Sequence, residues 1–512
     1  MLTLLSLAWV VAFAIILNLF RRKRSLPPGP RRLPFVGNLI GIPLDARSLF
    51  SQWYNTYGAL VYIEPLKRPM LVINTYNIAI DLFSRRSRLY SDRPWNYVAA
   101  QLMNGGHNIA FMNYNDKWRR VRKAAHDGFR ESGLAKYRNI QNYEAIRTAI
   151  SFIEDPSRWE QHLVINAAST ILSSVYGLPP TSESSPVVQT VMNIVLENSR
   201  AMYPGAYAVE FLPWLRHIPI WAASWKQNAL QSYTKAHTFL GNLFHDARHS
   251  LSIDGLSASL AYSLHDDVDD NSIEKDEAIW LCGVIFQAGA ETTSTTLLWF
   301  ILAMVLHGDS QQKAQDEIDR VVGREHPPSF DHIDSLHYVG AIVKEVLRWR
   351  PPLPLGVPHC TATEDTYNGF DIPAKTVCIP NTWEINRDPA VWGPDVSAFR
   401  PQRHLTEDGT LSKFILSGHD DSHVSFGFGQ RICVGRHFAE KSLLITCATI
   451  LWACNIRPAI DENGDIKLPL ADTQMNTGVT LHPAPFECRI EARGEDTMRQ
   501  LKAAREATSR GK

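Results

Sequence analysis

Positions Leu2 to Phe20 pass without a charge, and Arg21, Arg22, Lys23 and Arg24 follow at once. A run of roughly 19 such residues is just long enough to cross the hydrocarbon layer as a helix. The cations come after the apolar run rather than before it, the reverse of a cleaved secretory signal. The pattern predicts an uncleaved transmembrane anchor over 1–20, with the bulk of the chain on the cytosolic side of its membrane. No Asn-X-Ser/Thr acceptor occurs in the chain, which agrees. Ser25-Leu-Pro-Pro-Gly-Pro30 then fixes φ and disfavours helix, so 21–35 reads as a stiff, basic and proline-rich link.

Beyond the link, apolar positions mostly recur at helical spacing. Shorter stretches at Ala59–Ile63, Met70–Asn74 and Val377–Asn381 read as strands. The longest helical pattern runs from about Asp276 to Leu306, with Asn271 or Ser272 as its N-cap and Gly308 just past its end. At roughly 30 residues it far exceeds the usual ~11–12, so it has to cross a large single core. One domain over 36–491 is therefore expected, mainly α with a smaller β region. The acidic, serine-rich run from Ser250 to Asn271 reads as a surface loop, and Ala492 to Lys512 as a polar, frayed helical tail.

Composition removes alternatives. With 45% hydrophobic and 20% charged residues the chain is ordinary globular protein. Lysine plus arginine and aspartate plus glutamate both number 52, so there is no cation surplus to argue for nucleic acid. The 7 cysteines include no CxxC pair, which speaks against a zinc site or a disulfide scaffold and for a reducing compartment.

The densest chemistry lies in Phe426-Gly-Phe-Gly-Gln-Arg-Ile-Cys433-Val-Gly-Arg-His. Glycines 427, 429 and 435 permit tight turns and close approach to a ligand. An apolar helix from about Val434 sets Cys433 near a helix N-terminus between Arg431 and Arg436, which favours the metal-binding thiolate. Cys447 and Cys454 sit on the following apolar helix and read as inert core thiols. At these residues the sequence resembles the cytochrome P-450 family of haem-thiolate monooxygenases: Phe426, Gly429, Arg431, Cys433 and Gly435 match every fixed position of its FxxGxRxCxG signature. The resemblance makes Cys433 the axial ligand of haem b, its thiolate favouring O–O cleavage, with Phe426 shielding the sulfur.

Three further places fit it. Ala288-Gly289-Ala290-Glu291-Thr292 lies mid-helix, where Gly289 costs about 1 kcal/mol against alanine. Ala288, Gly289, Thr292 and Thr296 share a face, which would leave room for a planar cofactor and O₂. The resemblance implies that Glu291 and Thr292 help deliver protons. Glu345 and Arg348 sit at ion-pair spacing, and with Arg403 they become, by resemblance, a buried structural network; the family's usual neighbours of that arginine are replaced by Gln402 and His404. Trp118, Arg122, His359 and Arg431 occupy positions where the family donates hydrogen bonds to the haem propionates.

The reaction so implied is insertion of one oxygen atom from O₂ into a small apolar or aromatic molecule, by hydroxylation or epoxidation. The chain carries no dinucleotide-binding GxGxxG unit, so electrons would come from NADPH through a separate flavoprotein reductase, with cytochrome b5 as a second donor. Arg431, Arg436 and Lys441 are candidates for steering the reductase. An endoplasmic-reticulum membrane location, single-pass and facing the cytosol, follows from the anchor. Two rivals are a haem-thiolate isomerase or dehydratase that needs no external electrons, and a non-catalytic haem-binding protein. Relatives of the former often depart from the acid–threonine pair, which this chain keeps. Regions expected to meet substrate are Asp92–Phe111, Ala201–Trp221, Phe286, Leu353–Val357 and Met475–Val479. Pro358-His359 and Asn381-Thr-Trp383 resemble fungal members acting in secondary metabolism, with a terpenoid or an indole or aromatic polyketide fitting equally.

Overall fold

The computed structural model describes residues 25–43, 46–181, 185–202, 206–249, 259–412, 423–472, 474–476 and 480–510. The expected anchor and its basic flank, residues 1–24, lie outside the described residues. The helices that position the site are α1 (Asp116–Phe129), α2 (Arg138–Glu154), α3 (Trp159–Tyr176), α4 (Lys275–Leu306), α5 (His337–Trp349), α6 (Arg436–Ala453) and α7 (Thr497–Arg510). The principal strands are β1 (Leu60–Ile63), β2 (Met70–Ile73), β3 (His359–Cys360), β4 (Val377–Pro380), β5 (Cys454–Ile460), β6 (Ile466–Lys467), β7 (Gln474–Asn476), β8 (Leu481–Pro483) and β9 (Cys488–Ala492). The molecule is mainly α with a smaller β part, as the periodicity predicts.

The larger sheet runs β1-β2-β4-β3, with β2 and β4 parallel and Leu71 facing Cys378, while the outer pairings are antiparallel. All of β1 and β4 is buried, which is why both read as unbroken apolar runs. The proline-rich link lies against this sheet. Tyr62 N–H donates to Pro28 O at 2.8 Å, and a Cβ on Gly29 would fall 1.9 Å from Tyr62 O, so only glycine fits there. Ser25 and Asp371 bond reciprocally, Asp371 N to Ser25 O at 2.7 Å and Ser25 N to Asp371 Oδ2 at 2.9 Å.

Helix α4 is the axis of the molecule. Its first half, from Ala278 to Phe286, belongs to a core built with α1 and α3. Its last part, from Leu297 to Val305, belongs to a second core built with α2, α5 and α6. The small and polar stretch 287–296 lies between the two, with Ala290 alone joined to the first. Among the described residues α4 is the helix long and apolar enough to cross a membrane, and its burial makes it a core helix.

Three sequence expectations change. The N-cap of α4 is Glu274, whose side chain forms a reciprocal capping box with Glu277. Asn271 instead takes a left-handed turn at φ 62° after a helix at Leu260–Asp269, so the described part of the supposed loop is largely helical, held by buried Leu260, Ala261 and Leu264, while 250–258 lie outside the described residues. Gly308 lies just past the end of α4, as expected, with His307 as the C-cap between them, and it opens the next helix, Gly308–Val321. The C-terminal helix is docked rather than frayed, because Leu501 is fully buried in the second core.

Candidate active site

The cysteine loop is fixed by backbone bonds before α6 begins at Arg436, two residues later than the sequence pattern places it. Cys433 N–H donates to Phe426 O at 2.7 Å and Ile432 N–H to Gly429 O at 3.2 Å. Gly429 has φ +48°, and a Cβ there would sit 2.3 Å from Phe83 O; Gly427 has φ +81°. Gly435 differs: its φ of −91° suits any residue, and its Cβ position meets nothing within 4 Å. Phe428, not Phe426, is the fully buried aromatic of the loop, packed 5.4 Å from Phe83. Burial pushes the Cys433 thiol up, while the Gly435 N–H, Arg122 and Arg436 pull it down. Cys433 is nonetheless accessible, whereas Cys282, Cys360, Cys378, Cys447 and Cys454 are buried. Cys433 is thus surrounded by protein and yet accessible.

The middle of α4 shows the same pattern, with Ala288 exposed between buried Gln287 and buried Ala290. Thr292 Oγ1 donates to Ala288 O at 2.8 Å, Thr295 Oγ1 to Glu291 O at 2.8 Å and Thr296 Oγ1 to Thr292 O at 2.9 Å. Such back-bonding loosens the helical ladder locally. Gly289 departs from the expected face: its Cβ position lies 2.9 Å from Ile171 Cγ1 on α3, so the missing side chain admits a neighbouring helix. Glu291 Oε1 accepts from Thr480 Oγ1 at 2.6 Å, a partner on a distant strand end that sequence spacing gives no means of finding. Phe286, expected at the substrate, packs in the first core with its ring 6.4 Å from that of Tyr176.

Glu345 and Arg348 on α5 are both wholly buried and pair bidentately, Nε to Oε2 and Nη2 to Oε1, each at 2.8 Å. Arg403 Nε reaches Glu345 Oε1 at 3.1 Å, and His404 Nε2 lies 2.9 Å from Oε2. The remaining guanidinium N–H groups bind carbonyls of Asn386, Val396 and Ala398 from Arg348, and of Trp392, Asp395 and Ala398 from Arg403. Burial alone would raise the Glu345 carboxyl, but bonds from Arg348 and His404 bring it down to about 2. His404, an open question in the sequence, is thus a full member of this network.

The four propionate candidates divide. Arg431 spends three N–H groups on carbonyls of Ser91 (2.8 Å), Ile109 (3.3 Å) and Met112 (2.6 Å), and stacks 4.3 Å from the Trp118 ring. Arg122 Nη2 donates to Ile432 O at 2.5 Å and so holds the cysteine loop itself. Trp118 is 3% exposed and its backbone N–H is capped by Asn115 at 2.9 Å. His359 Nδ1 lies 2.7 Å from Tyr90 O, with its ring 4.4 Å from Phe83. Among the described residues no group of histidine, cysteine, aspartate and glutamate forms a metal cluster. An accessible cysteine on a glycine loop, in a chain whose long helix carries an acid–threonine pair between its two apolar cores, fits the class of single-thiolate centres.

The known proteins narrow that class. Residues 27–489 match the family model described as cytochrome P450. A cytochrome P450 monooxygenase of Armillaria gallica is 42% identical over 97% of this chain and 95% of its own length. Cytochrome P450 monooxygenase 58 of Postia placenta is 36% identical, over 97% and 94%. A cytochrome P450 monooxygenase of Amanita muscaria is 34% identical, over 95% and 94%. The chain belongs to the cytochrome P450 family, and its activity is O₂-dependent monooxygenation.

Proposed function

We propose that Cys433 holds haem b through its thiolate, and that the chain hydroxylates or epoxidises a small apolar or aromatic molecule in fungal secondary metabolism. Cys433 carries this reading, being accessible while its electrostatic surroundings are those of a buried group. The residues present fit the cofactor. The open space at the Gly435 Cβ position and the exposed Ala288 leave room for a flat macrocycle. No acceptor binds the Trp118 indole N–H among the described residues, and His359 Nε2 has no partner there either, so both are available to propionates. When bound, haem supplies one-electron redox chemistry and O₂ activation.

The chain's own residues do the rest. The Gly435 N–H, Arg122 and Arg436 stabilise the thiolate of Cys433 against the cost of burial. Arg431 and Arg122 fix the loop through carbonyls. Thr292 holds its proton on Ala288 O, and its lone pairs remain free to accept. Glu291, raised by burial, is the neighbouring acid that resupplies Thr292. Glu345, Arg348, Arg403 and His404 tie α5 to the segment that follows 395, and so hold the frame rigid.

Electrons would come from NADPH through a flavoprotein reductase, with cytochrome b5 as a second donor, docking near Arg436 and Lys441. Lys441 is held by Asp334 at 2.9 Å on an exposed face. Single-pass anchoring by 1–20 in the endoplasmic reticulum, with the body in the cytosol, accords with exposed apolar side chains at Phe35, Ile40, Trp214, Ile220 and Trp221. The deciding measurement is the ferrous–CO difference spectrum. Cys433→Ser should lose the red-shifted thiolate band, and its persistence would remove the ligand assignment. Substrate class is read from products formed with a reductase and a panel of terpenoids, indoles and aromatic polyketides.

A further inference from the structure

Glu291 is coupled to a basic group as well as to its neighbour on α4. Thr480 Oγ1, which donates to Glu291 Oε1 at 2.6 Å, lies 3.2 Å from His482 Nε2. The same Nε2 lies 3.0 Å from Thr295 Oγ1, whose hydrogen goes to Glu291 O at 2.8 Å. A hydroxyl has one hydrogen to give. Thr480 gives its hydrogen to the carboxylate and Thr295 to the carbonyl, so both offer only lone pairs to His482. Nε2 must therefore carry the hydrogen, an assignment made by counting donors.

Burial changes both ends of this chain in complementary directions. It raises the carboxyl of Glu291, against the opposing bond from Thr480, and it lowers the imidazole of His482. Among the described residues no cation or carboxylate from the packed helices shifts either group further. An ordinary histidine is well above an ordinary glutamate in proton affinity. Here the gap closes from both sides, the condition under which a proton passes easily between two groups. Access also orders them, because His482 is half-buried and Thr480 is fully buried.

We propose that His482 and Thr480 form a proton relay that reloads Glu291 during turnover. A proton taken from water at His482 Nδ1 gives the imidazolium. Its Nε2–H bond then breaks as a new O–H bond forms at Thr480, while the original Thr480 O–H bond breaks and a new one forms at Glu291 Oε1. No electrons are transferred. His482 is left neutral with its hydrogen on Nδ1, and Glu291 is left as the neutral acid. Thr295 is a positioning residue that keeps Nε2–H aimed at the pair of hydroxyls. The relay rests on the reading that Glu291 handles protons for the monooxygenase reaction.

The test uses the full chain with its reductase in lipid nanodiscs and no added organic compound, following NADPH oxidation in H₂O and D₂O. Thr480→Val and His482→Phe should each slow oxidation about a hundredfold, the lower end of the range for assisted proton transfer, and enlarge the solvent isotope effect. Thr480→Ser should restore both. A second readout is the infrared difference spectrum of the ferric protein between acid and alkaline buffer. A protonated-carboxyl band that disappears in Glu291→Gln should move in Thr480→Val. His482→Gln keeps a donor to both hydroxyls and cannot take up a proton. Wild-type oxidation there overturns the relay even where Thr480→Val fails to fold, and so does an unmoved carboxyl band in Thr480→Val. If Glu291→Gln itself leaves the rate and isotope effect unchanged, the role given to Glu291 above fails. If Glu291→Gln slows oxidation while the Thr480 and His482 variants do not, only the relay fails.

Discussion

Replacing Gly289 by alanine separates a packing role from a ligand-space role. The added Cβ would lie 2.9 Å from Ile171 Cγ1 and 3.1 Å from Cδ1, against ordinary carbon contacts of about 3.5–4.0 Å. Overpacking of this kind costs roughly 1–3 kcal/mol. Alanine regains about 1 kcal/mol of helix propensity, so the net effect should be destabilising by about 1 kcal/mol. With Ile171 truncated to alanine, the nearest remaining atom is Cβ at 3.5 Å, an ordinary contact. Ile171→Ala alone should cost about 2–5 kcal/mol. In that background Gly289→Ala should stabilise by about 1 kcal/mol, since the clash is gone and the propensity gain remains. The sign of the second substitution thus reverses, a coupling of about 2 kcal/mol and within the range for touching residues. Urea midpoints from tryptophan emission measure it across the four proteins. The same sign in both backgrounds would refute the packing account. A CO band altered by Gly289→Ala irrespective of residue 171 would restore the ligand-space role.

The loop glycines should behave differently from one another. Gly429→Ala places a methyl on Phe83 O at positive φ and should cost at least about 2 kcal/mol, read as lost yield of folded protein. Gly435→Ala meets no protein atom, so the haem-free chain should unfold within about 0.5 kcal/mol of wild type while haem content per chain falls. Glu345 supplies a pH dependence. Its folded value of about 2 lies below the ordinary 4.5, so its contribution is fully present above pH 4.5 and is lost as pH falls toward 2. Glu345→Gln should cost about 3–5 kcal/mol, because Arg348 is left buried beside a neutral group, and should flatten that acid limb. An unchanged limb in circular dichroism titrations would count against the assignment.

What could be read from the sequence was local. The strands at 60–63, 70–73 and 377–380 and the helix at 275–306 announce themselves because burial on all sides leaves continuous apolar runs, short for the strands and long for the helix. The cysteine loop was legible because Gly429 must take a positive φ and Cys433 follows it at fixed spacing. Pairings across the fold were not legible. Gly289 looks like room for a ligand until Ile171, 118 positions earlier, is seen against it. His404 and Thr480 carry no periodic signal; each matters through one hydrogen bond to a glutamate on another element. Arg431 was expected to donate to a propionate and to steer the reductase, and three backbone carbonyls hold it. The Asn271 cap failed because a left-handed residue closes one helix there before Glu274 opens the next.

The reciprocal stitch between Ser25 and Asp371 has a mechanical consequence. Ser25 is pinned at Asp371, so the chain enters the body at one fixed point. The 25–28 stretch is thus fastened to the body at both ends, at Ser25 by Asp371 and at Pro28 by Tyr62, much as a strap is buckled down. Cutting that stitch would loosen the entry at Ser25 while leaving the chemistry inside intact.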